Sequence, residues 1–368
     1  MAIISTRAAL PQIKPAGLRR FHARLAAWYA AHGRHDLPWR KTADPYAIWI
    51  SEVMLQQTQV STVLARFYHP FLTRFPTVDA LATAPREAVM KAWEGLGYYR
   101  RAGFLHAAAQ QVASAPDATF PQAVDHLLAL PGIGKNTAHA IAAFAYHQPV
   151  AILEANVKRI VARIFALRTP SDAELWAGAE ALLDAQHPFD YNQSMMDLGS
   201  LICLPKNPLC TQCPASDICL GKTDPHAYPT PKAKKQTPVR ELTIAVLEDA
   251  NGKYFLEARD AQLLGGLYGF TQLADAGDID ALCQQMGVTP THRAALGTVT
   301  HVYSHFKLIG QVEHIRTVQK MNGPHWHSRA EIAALPLSKV DHKTLALVEN
   351  CHTAKKKIPK AGAKRRPR

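Results

Sequence analysis

With 368 residues, of which 48% are apolar and 19% charged, the chain has the length of two or three domains at roughly 150 residues each, and its composition excludes wholesale disorder. No uninterrupted apolar run approaches about 18 residues, which argues against a membrane-spanning helix. Lys and Arg number 42 against 29 Asp and Glu, a net charge of +13, so a polyanionic partner is expected, with nucleic acid ahead of an anionic membrane surface.

Residues 1–35 hold six Lys/Arg and no acidic residue, loosely the composition of a transit peptide, but Leu18–Ala31 already reads as an amphipathic helix of the folded domain. No charged start leads into a long apolar segment, so no secretory signal is expected. Asp44-Pro45 is a helix start, with Asp as cap and Pro at the first position, and Ile50, Met54, Val60 and Leu64 keep helical spacing from Tyr46 to Arg66. Further helices are predicted over Arg86–Trp93, Gly103–Ala113, Val124–Leu130, Thr137–Tyr146, Val157–Leu167 and Asp172–Ala185. No strand pattern interrupts them, so residues 1–220 read as an all-α domain. Residues 221–240 are Pro-rich with a net charge of +4, an extended and exposed linker. Beyond it, Leu242–Leu247 and Lys253–Ala258 are strand-like and flank Asn251-Gly252, a hairpin signal. Gly265–Phe270 reads as a loop entering another strand, Thr298–Tyr303 and Phe306–Val312 as two strands around Ser304-His305, and Ile279–Met286 and Thr344–Glu349 as helices. Residues 241–353 are thus an α+β domain, and 354–368, with eight Lys/Arg and no acid, a disordered basic tail.

Four of the six cysteines, Cys203, Cys210, Cys213 and Cys219, fall within seventeen residues, with Pro205, Pro208 and Pro214 restricting the loops between them. Without a secretory signal this pattern points to a metal centre rather than to disulfides. Zinc sites usually combine two close cysteine pairs; only one exists here, so a four-cysteine iron–sulfur cluster is the better reading. Its position, away from the other polar motifs, points to a structural or DNA-positioning role. The second signal is Leu130-Pro131-Gly132-Ile133-Gly134-Lys135 between two helical stretches. Two glycines in a short hairpin let backbone N–H groups face outward, and the following helix N-terminus favours an anion. A DNA phosphate is the natural ligand of Gly132 and Gly134, with Lys135 adding charge; the spacing is not that of a Walker loop.

The helix–hairpin–helix element followed by the C-x6-C-x2-C-x5-C loop resembles the helix-hairpin-helix DNA glycosylases related to endonuclease III. Within that superfamily the run Trp49-Ile50-Ser51-Glu52-Val53-Met54-Leu55-Gln56-Gln57-Thr58-Gln59-Val60 is similar to the adenine-specific, MutY-type branch, as are Gly95-Leu96-Gly97-Tyr98-Tyr99-Arg100 and Met195-Met196-Asp197-Leu198-Gly199. The resemblance implies an all-α glycosylase domain carrying a 4Fe–4S cluster on Cys203, Cys210, Cys213 and Cys219, joined to a Nudix-like α+β domain. It implies excision, by hydrolysis of the N-glycosidic bond, of adenine mispaired with 8-oxoguanine or guanine in double-stranded DNA, after the base is extruded from the duplex. Glu52 matches the general acid that protonates adenine at N7, and a desolvating pocket should raise its pKa. Gln57 is then expected in the base stack, Gln56 beside the extruded base, and Tyr98, Asn136 and Lys158 among the DNA contacts. Tyr303-Ser304-His305 matches the loop that contacts 8-oxoguanine, with Ser304 and His305 as hydrogen-bonding groups.

Departures from the branch carry their own expectations. Leu153-Glu154-Ala155-Asn156-Val157 stands where Leu-Asp-Gly-Asn-Val is usual, so the carboxylate that stabilises the oxocarbenium-like sugar is Glu154, one methylene longer, with Asn156 orienting it. Asn136 occupies the position of the Schiff-base lysine of bifunctional relatives, which implies a monofunctional glycosylase. Leu264 replaces a usual Trp and Thr271 a usual Pro, and no R-E-x-x-E-E metal helix follows residue 240, so pyrophosphatase activity is not expected. Two alternatives stand beside this reading: an endonuclease III-like pyrimidine glycosylase with lyase activity, and a catalytically silent lesion-binding protein. A monomer with no membrane partner is expected, in the bacterial cytoplasm at the nucleoid, or in the nucleus or mitochondrion of a eukaryote.

Overall fold

The computed structural model describes residues 10–117, 119–231, 236–259, 264–274 and 278–356. They fall into two compact units that do not follow chain order: one takes the chain up to Ala82 and from Ala107 to the linker, and the other takes Thr83–His106 and everything after the linker.

The helices of the first part of the chain are α1 (Pro15–His32), α2 (Pro45–Leu55), α3 (Val60–Arg66), α4 (Tyr68–Arg74), α5 (Val78–Thr83), α6 (Arg86–Ala92), α7 (Arg100–Ala113), α8 (Val124–Leu128), α9 (Lys135–Tyr146), α10 (Ala155–Ile164), α11 (Asp172–Leu182) and α12 (Pro188–Leu201). Among the described residues this half contains no strand, as the sequence predicts. Helix α2 starts where expected: the Asp44 carboxylate accepts from the backbone N–H groups of Tyr46 and Ala47 at 3.0 and 3.3 Å, and Pro45 fills the first helical position. The single helix expected over Tyr46–Arg66 is instead broken after Leu55. The apolar spacing continues through the break, but Gln56–Gln59 are four polar residues with little to bury, and Gln57 takes a left-handed conformation at φ +57°. Helix α9 buries every residue from Thr137 to Phe144, and Ile48 of α2 packs with its Ala140, Ala143 and Phe144. Helix α12, absent from the sequence reading, also lies in the interior.

The expected linker is folded at its start. Residues 220–231 pack through two short 3-10 turns against α10, where the buried Arg163 guanidinium donates to the carbonyls of Pro225 and Tyr228, and Thr230 N–H donates to Arg168. Lys232–Lys235 lie outside the described residues, as does most of the basic tail.

In the second unit, β1 (Val239–Glu248) and β7 (Lys307–Arg316) pair in parallel at the centre of a six-stranded sheet, and β6 (His292–Val302) pairs antiparallel with β7 at one edge. The short strands β2 (Tyr254–Phe255), β5 (Thr271–Leu273) and β8 (Trp326–His327) complete it, while β3 (Glu257–Ala258) and β4 (Tyr268–Gly269) form a separate ribbon, so the expected strand over Lys253–Ala258 is divided. Asn251-Gly252 makes the expected turn, with Gly252 at φ +74°. The sheet is sandwiched: Val340 and Val348 of α15 (Lys339–Lys356) pack on one face, and Ile279 and Cys283 of α13 (Asp278–Gln285) on the other; α14 (Arg329–Ala334) precedes α15. Helix α15 runs to Lys356, so residues 354–356, expected in the tail, are helical.

Candidate active site

Glu52 lies on the last turn of α2, partly buried beside residues that each reduce its tendency to ionise or to stay neutral. Burial is the largest influence and the nearby Glu154 carboxylate adds to it; the Arg40 guanidinium opposes both, and the carboxyl is pushed up to about 7. Arg40 was not singled out from sequence. Its pull on Glu52 is the smallest of the three influences, and its two terminal nitrogens pair with Asp197 at 2.8 and 2.9 Å. Asp197, fully buried on α12, also accepts from the backbone and side chain of Arg34. The acidic residue of the Met-Met-Asp-Leu-Gly run is therefore an anchor for two arginines.

Glu154 caps α10: its side chain accepts from Val157 N–H at 3.3 Å, and the Asn156 amide also reaches it. Burial nevertheless raises its pKa, against those hydrogen bonds and the Arg159 charge. The segment before it is held by two asparagines. Asn192 Oδ1 accepts from Ile152 N–H at 2.9 Å, and Asn136 Oδ1 accepts from Leu153 N–H at 2.8 Å. Asn136 thus spends its carbonyl on the backbone next to Glu154. Asn156 is pressed against α12, where a Cβ on Gly199 would lie 2.4 Å from its own Cβ, and its carbonyl accepts from Arg159 at 2.9 Å. Gln56 donates to Thr137 Oγ1 of α9 at 3.3 Å, while Gln57 is exposed.

The hairpin between α8 and α9 has the expected form, with Gly132 at φ +75° and Gly134 capping α9 with open space where a Cβ would stand. The α9 N-terminus has no side-chain cap, so its N–H groups remain directed outward. Lys135 lies over Trp176 at 3.9 Å and near Glu180, and Lys158 pairs with Asp172 at 2.7 Å, both on exposed surface.

Cys203, Cys210, Cys213 and Cys219 are free thiols gathered in one loop. Burial, opposed by a backbone hydrogen bond and reinforced by the other thiols, pushes Cys213 up to about 12. The charges of Cys203, Cys210 and Cys219 all act on Cys213, so the four sulfurs are close neighbours. Arg163 and Arg159 brace the loop: Arg163 donates to the carbonyls of Cys203, Leu204 and Pro205, and Arg159 joins Cys203 O to Gly199 O and Asn156.

In the second unit Tyr98 is exposed at φ +48° between Gly97 and Tyr99. Ser304 and His305 sit at the exposed tip between β6 and β7, 3.2 Å apart. Tyr303 and Phe306 stack beneath them at 4.6 Å and line a cavity of about 560 Å³ with Arg240, Phe255 and Arg259.

Residues 50–183 match the HhH-GPD superfamily of base excision DNA repair proteins, and residues 243–347 match the NUDIX domain. The structure of a thermostable thymine-DNA glycosylase superposes with a TM-score of 0.52 at 27% identity, over 56% of this chain and 97% of that one. An endonuclease III–DNA complex shares the fold, with a TM-score of 0.50 at 19% identity over 58% of this chain and 98% of that one. Fold and hairpin together define a helix-hairpin-helix base-excision glycosylase, an enzyme that hydrolyses N-glycosyl bonds. The adenine DNA glycosylase of Buchnera aphidicola subsp. Baizongia pistaciae (strain Bp) is 32% identical over 294 residues, 78% of this chain and 84% of its own length. That of Homo sapiens is 34% identical over 362 residues, 79% of this chain and 66% of its own. The chain belongs to the adenine DNA glycosylase family.

Proposed function

We propose that the chain excises adenine paired with 8-oxoguanine, or with guanine, from double-stranded DNA as a monofunctional hydrolase. The observation that carries the reading is Glu52, a carboxyl held half-protonated near neutrality beside a second carboxylate. The extruded adenine receives the Glu52 proton at N7, which makes the base a better leaving group as the C1′–N9 bond breaks. Positive charge then develops on the deoxyribose, and Glu154, ionised and fixed by Asn156, stabilises it. Water adds to C1′ and leaves an abasic site and free adenine, its released proton replacing the one Glu52 gave up. The Asn136 amide has no nucleophilic amine to offer, and its carbonyl is occupied by Leu153 N–H, which favours hydrolysis over a lyase step.

The remaining assignments follow the same reading. Gly132, Gly134 and Lys135 hold a phosphate at the α9 N-terminus; Gln56 lies beside the extruded base and Gln57 fills the vacated stack; Tyr98 and Lys158 contact the duplex; Ser304 and His305 recognise 8-oxoguanine. The four cysteines fit a 4Fe–4S cluster, which when bound would supply a rigid, locally charged support for the DNA-facing loop. This chain's own Arg159 carries that loop's position to Asn156. Among the described residues no helix is long and apolar enough to cross a membrane. Single-turnover assays on a duplex with one A:8-oxoguanine pair test the reading. Adenine release that Glu52→Gln abolishes while duplex binding persists is the expected result. Binding without release by the unaltered chain would establish a silent lesion binder, and borohydride trapping on oxidised pyrimidine DNA would establish a lyase.

A further inference from the structure

At one end of the sheet in the second unit, three ligand-type side chains come together that the glycosylase reading leaves unused. Glu248 closes β1 and stands in register with Arg316 of β7. His314 lies two residues earlier on the same face of β7, and His352 lies one turn beyond Val348 on α15. One oxygen of Glu248 and one nitrogen of each histidine lie within 4.8 Å of one another. His314 Nε2 is 2.7 Å and His352 Nε2 is 3.5 Å from Glu248 Oε2. The His314 side chain is only 3% exposed, so the ring nitrogen that approaches Glu248 is shut away from water and held on the carboxylate.

Arg316 is the resident cation. Its Nε and Nη2 donate to Glu248 at 2.9 and 3.2 Å, and Nη2 lies 3.2 Å from His352 Nδ1. With its side chain 34% exposed, the guanidinium has an open path to solvent. The Tyr254 hydroxyl is 3.3 Å from His352 Nε2.

Two imidazoles and a carboxylate are the donor set of zinc and related ions, and bonds of about 2.0–2.2 Å place tetrahedral ligand atoms roughly 3.3–3.6 Å apart, within reach of this cluster. We infer that Glu248, His314 and His352 form a binding site for a divalent transition cation, zinc being the best match, which displaces Arg316 and fastens α15 to the sheet. The ion takes over, for Glu248 and His352, the contacts that Arg316 now makes.

The full chain, its iron content monitored throughout, is titrated with zinc by calorimetry and melted with and without zinc. Expected are one zinc per chain at unchanged iron content and a raised Tm. His352→Ala should weaken binding by about ten-fold or more, since even indirect supports of metal ligands are worth that much. Arg316→Ala should tighten zinc binding and enlarge the thermal shift, because the competing cation is gone. Should His314→Ala fail to fold, His352→Ala at a partly exposed position of α15 still decides. Equal zinc binding by His352→Ala and the unaltered chain, or zinc uptake matched by iron loss, overturns the site. A purely destabilising Arg316→Ala, with no gain in zinc affinity, shows an ion-pair knot only.

Discussion

Glu52 and Glu154 are neighbouring carboxyls both raised by burial, and the proposed mechanism gives them different roles. Glu52 has its proton affinity raised from 4.5 to about 7, so the acid form dominates below pH 7 and is lost above it. The single-turnover rate on saturating A:8-oxoguanine duplex should therefore fall as pH rises through 7, approaching ten-fold per unit; a flat profile to pH 9 would remove Glu52 from the role of acid. The same shift has a stability sign. Because the folded state binds this proton more tightly than the unfolded chain, Glu52 favours folding less and less as pH rises from 4.5 through 7. Glu52→Gln, which never ionises, should gain stability over the unaltered protein at pH 8 and little at pH 5, as paired melts will show. Glu154→Gln removes the charge opposite the cationic sugar and should cost on the order of 10²–10³ in rate. Glu154→Asp keeps both charge and helix cap and should stay within about ten-fold. Glu52 and Glu154 stand out in the sequence because they sit inside long motifs, and the fold brings the two carboxyls near one another. Arg40 does not stand out: its relation to Asp197 spans 157 positions, and nothing local marks it.

Helix α12 shows what decides whether an element can be read in advance. Its apolar stripe, Tyr191, Met195, Leu198 and Ile202, is interleaved with the buried polar residues Asn192, Gln193, Ser194 and Asp197, which blur the periodicity that reveals a helix. Two of these polar groups brace their surroundings, Asn192 holding Ile152 and Asp197 holding Arg34 and Arg40, and Gly199 yields room to Asn156. Gly199→Ala would drive a methyl group to 2.4 Å of Asn156 Cβ. It should destabilise the fold by about 1–3 kcal/mol, and displacement of Asn156 should slow excision more than it weakens duplex binding. A denaturant melt and single-turnover kinetics on the same sample separate the two effects. The break after Leu55 is the opposite case, where apolar periodicity ran on and chain geometry stopped. By contrast α9 and the Gly132–Gly134 hairpin were legible, since glycine at positive φ and a continuous apolar helix are both local signals.

Over the whole chain, charge and specificity are separated. Residues 1–220 carry a net +4 and residues 241–353 a net −3, whereas the short segments 221–240 and 354–368 carry +4 and +8. The helical and α+β halves were legible because their hydrophobic periods differ. The inclusion of Thr83–His106 in the second unit was not, because it rests on long-range contacts such as Lys91 with Leu335 and Glu94 with Leu337. Most of the excess positive charge therefore lies outside the residues that define the site, and it should act as sequence-independent attraction to phosphate. Truncation after Lys356 removes six Lys/Arg. If all six meet phosphates, the slope of log affinity against log salt becomes shallower by up to about five. The single-turnover rate at saturating enzyme should not change, because Glu52, Glu154 and the hairpin are untouched. Duplex binding measured from low to physiological salt, for undamaged and A:8-oxoguanine DNA in parallel, checks both halves: the truncation should weaken the two duplexes alike, and a selective loss on the lesion would place recognition in the tail.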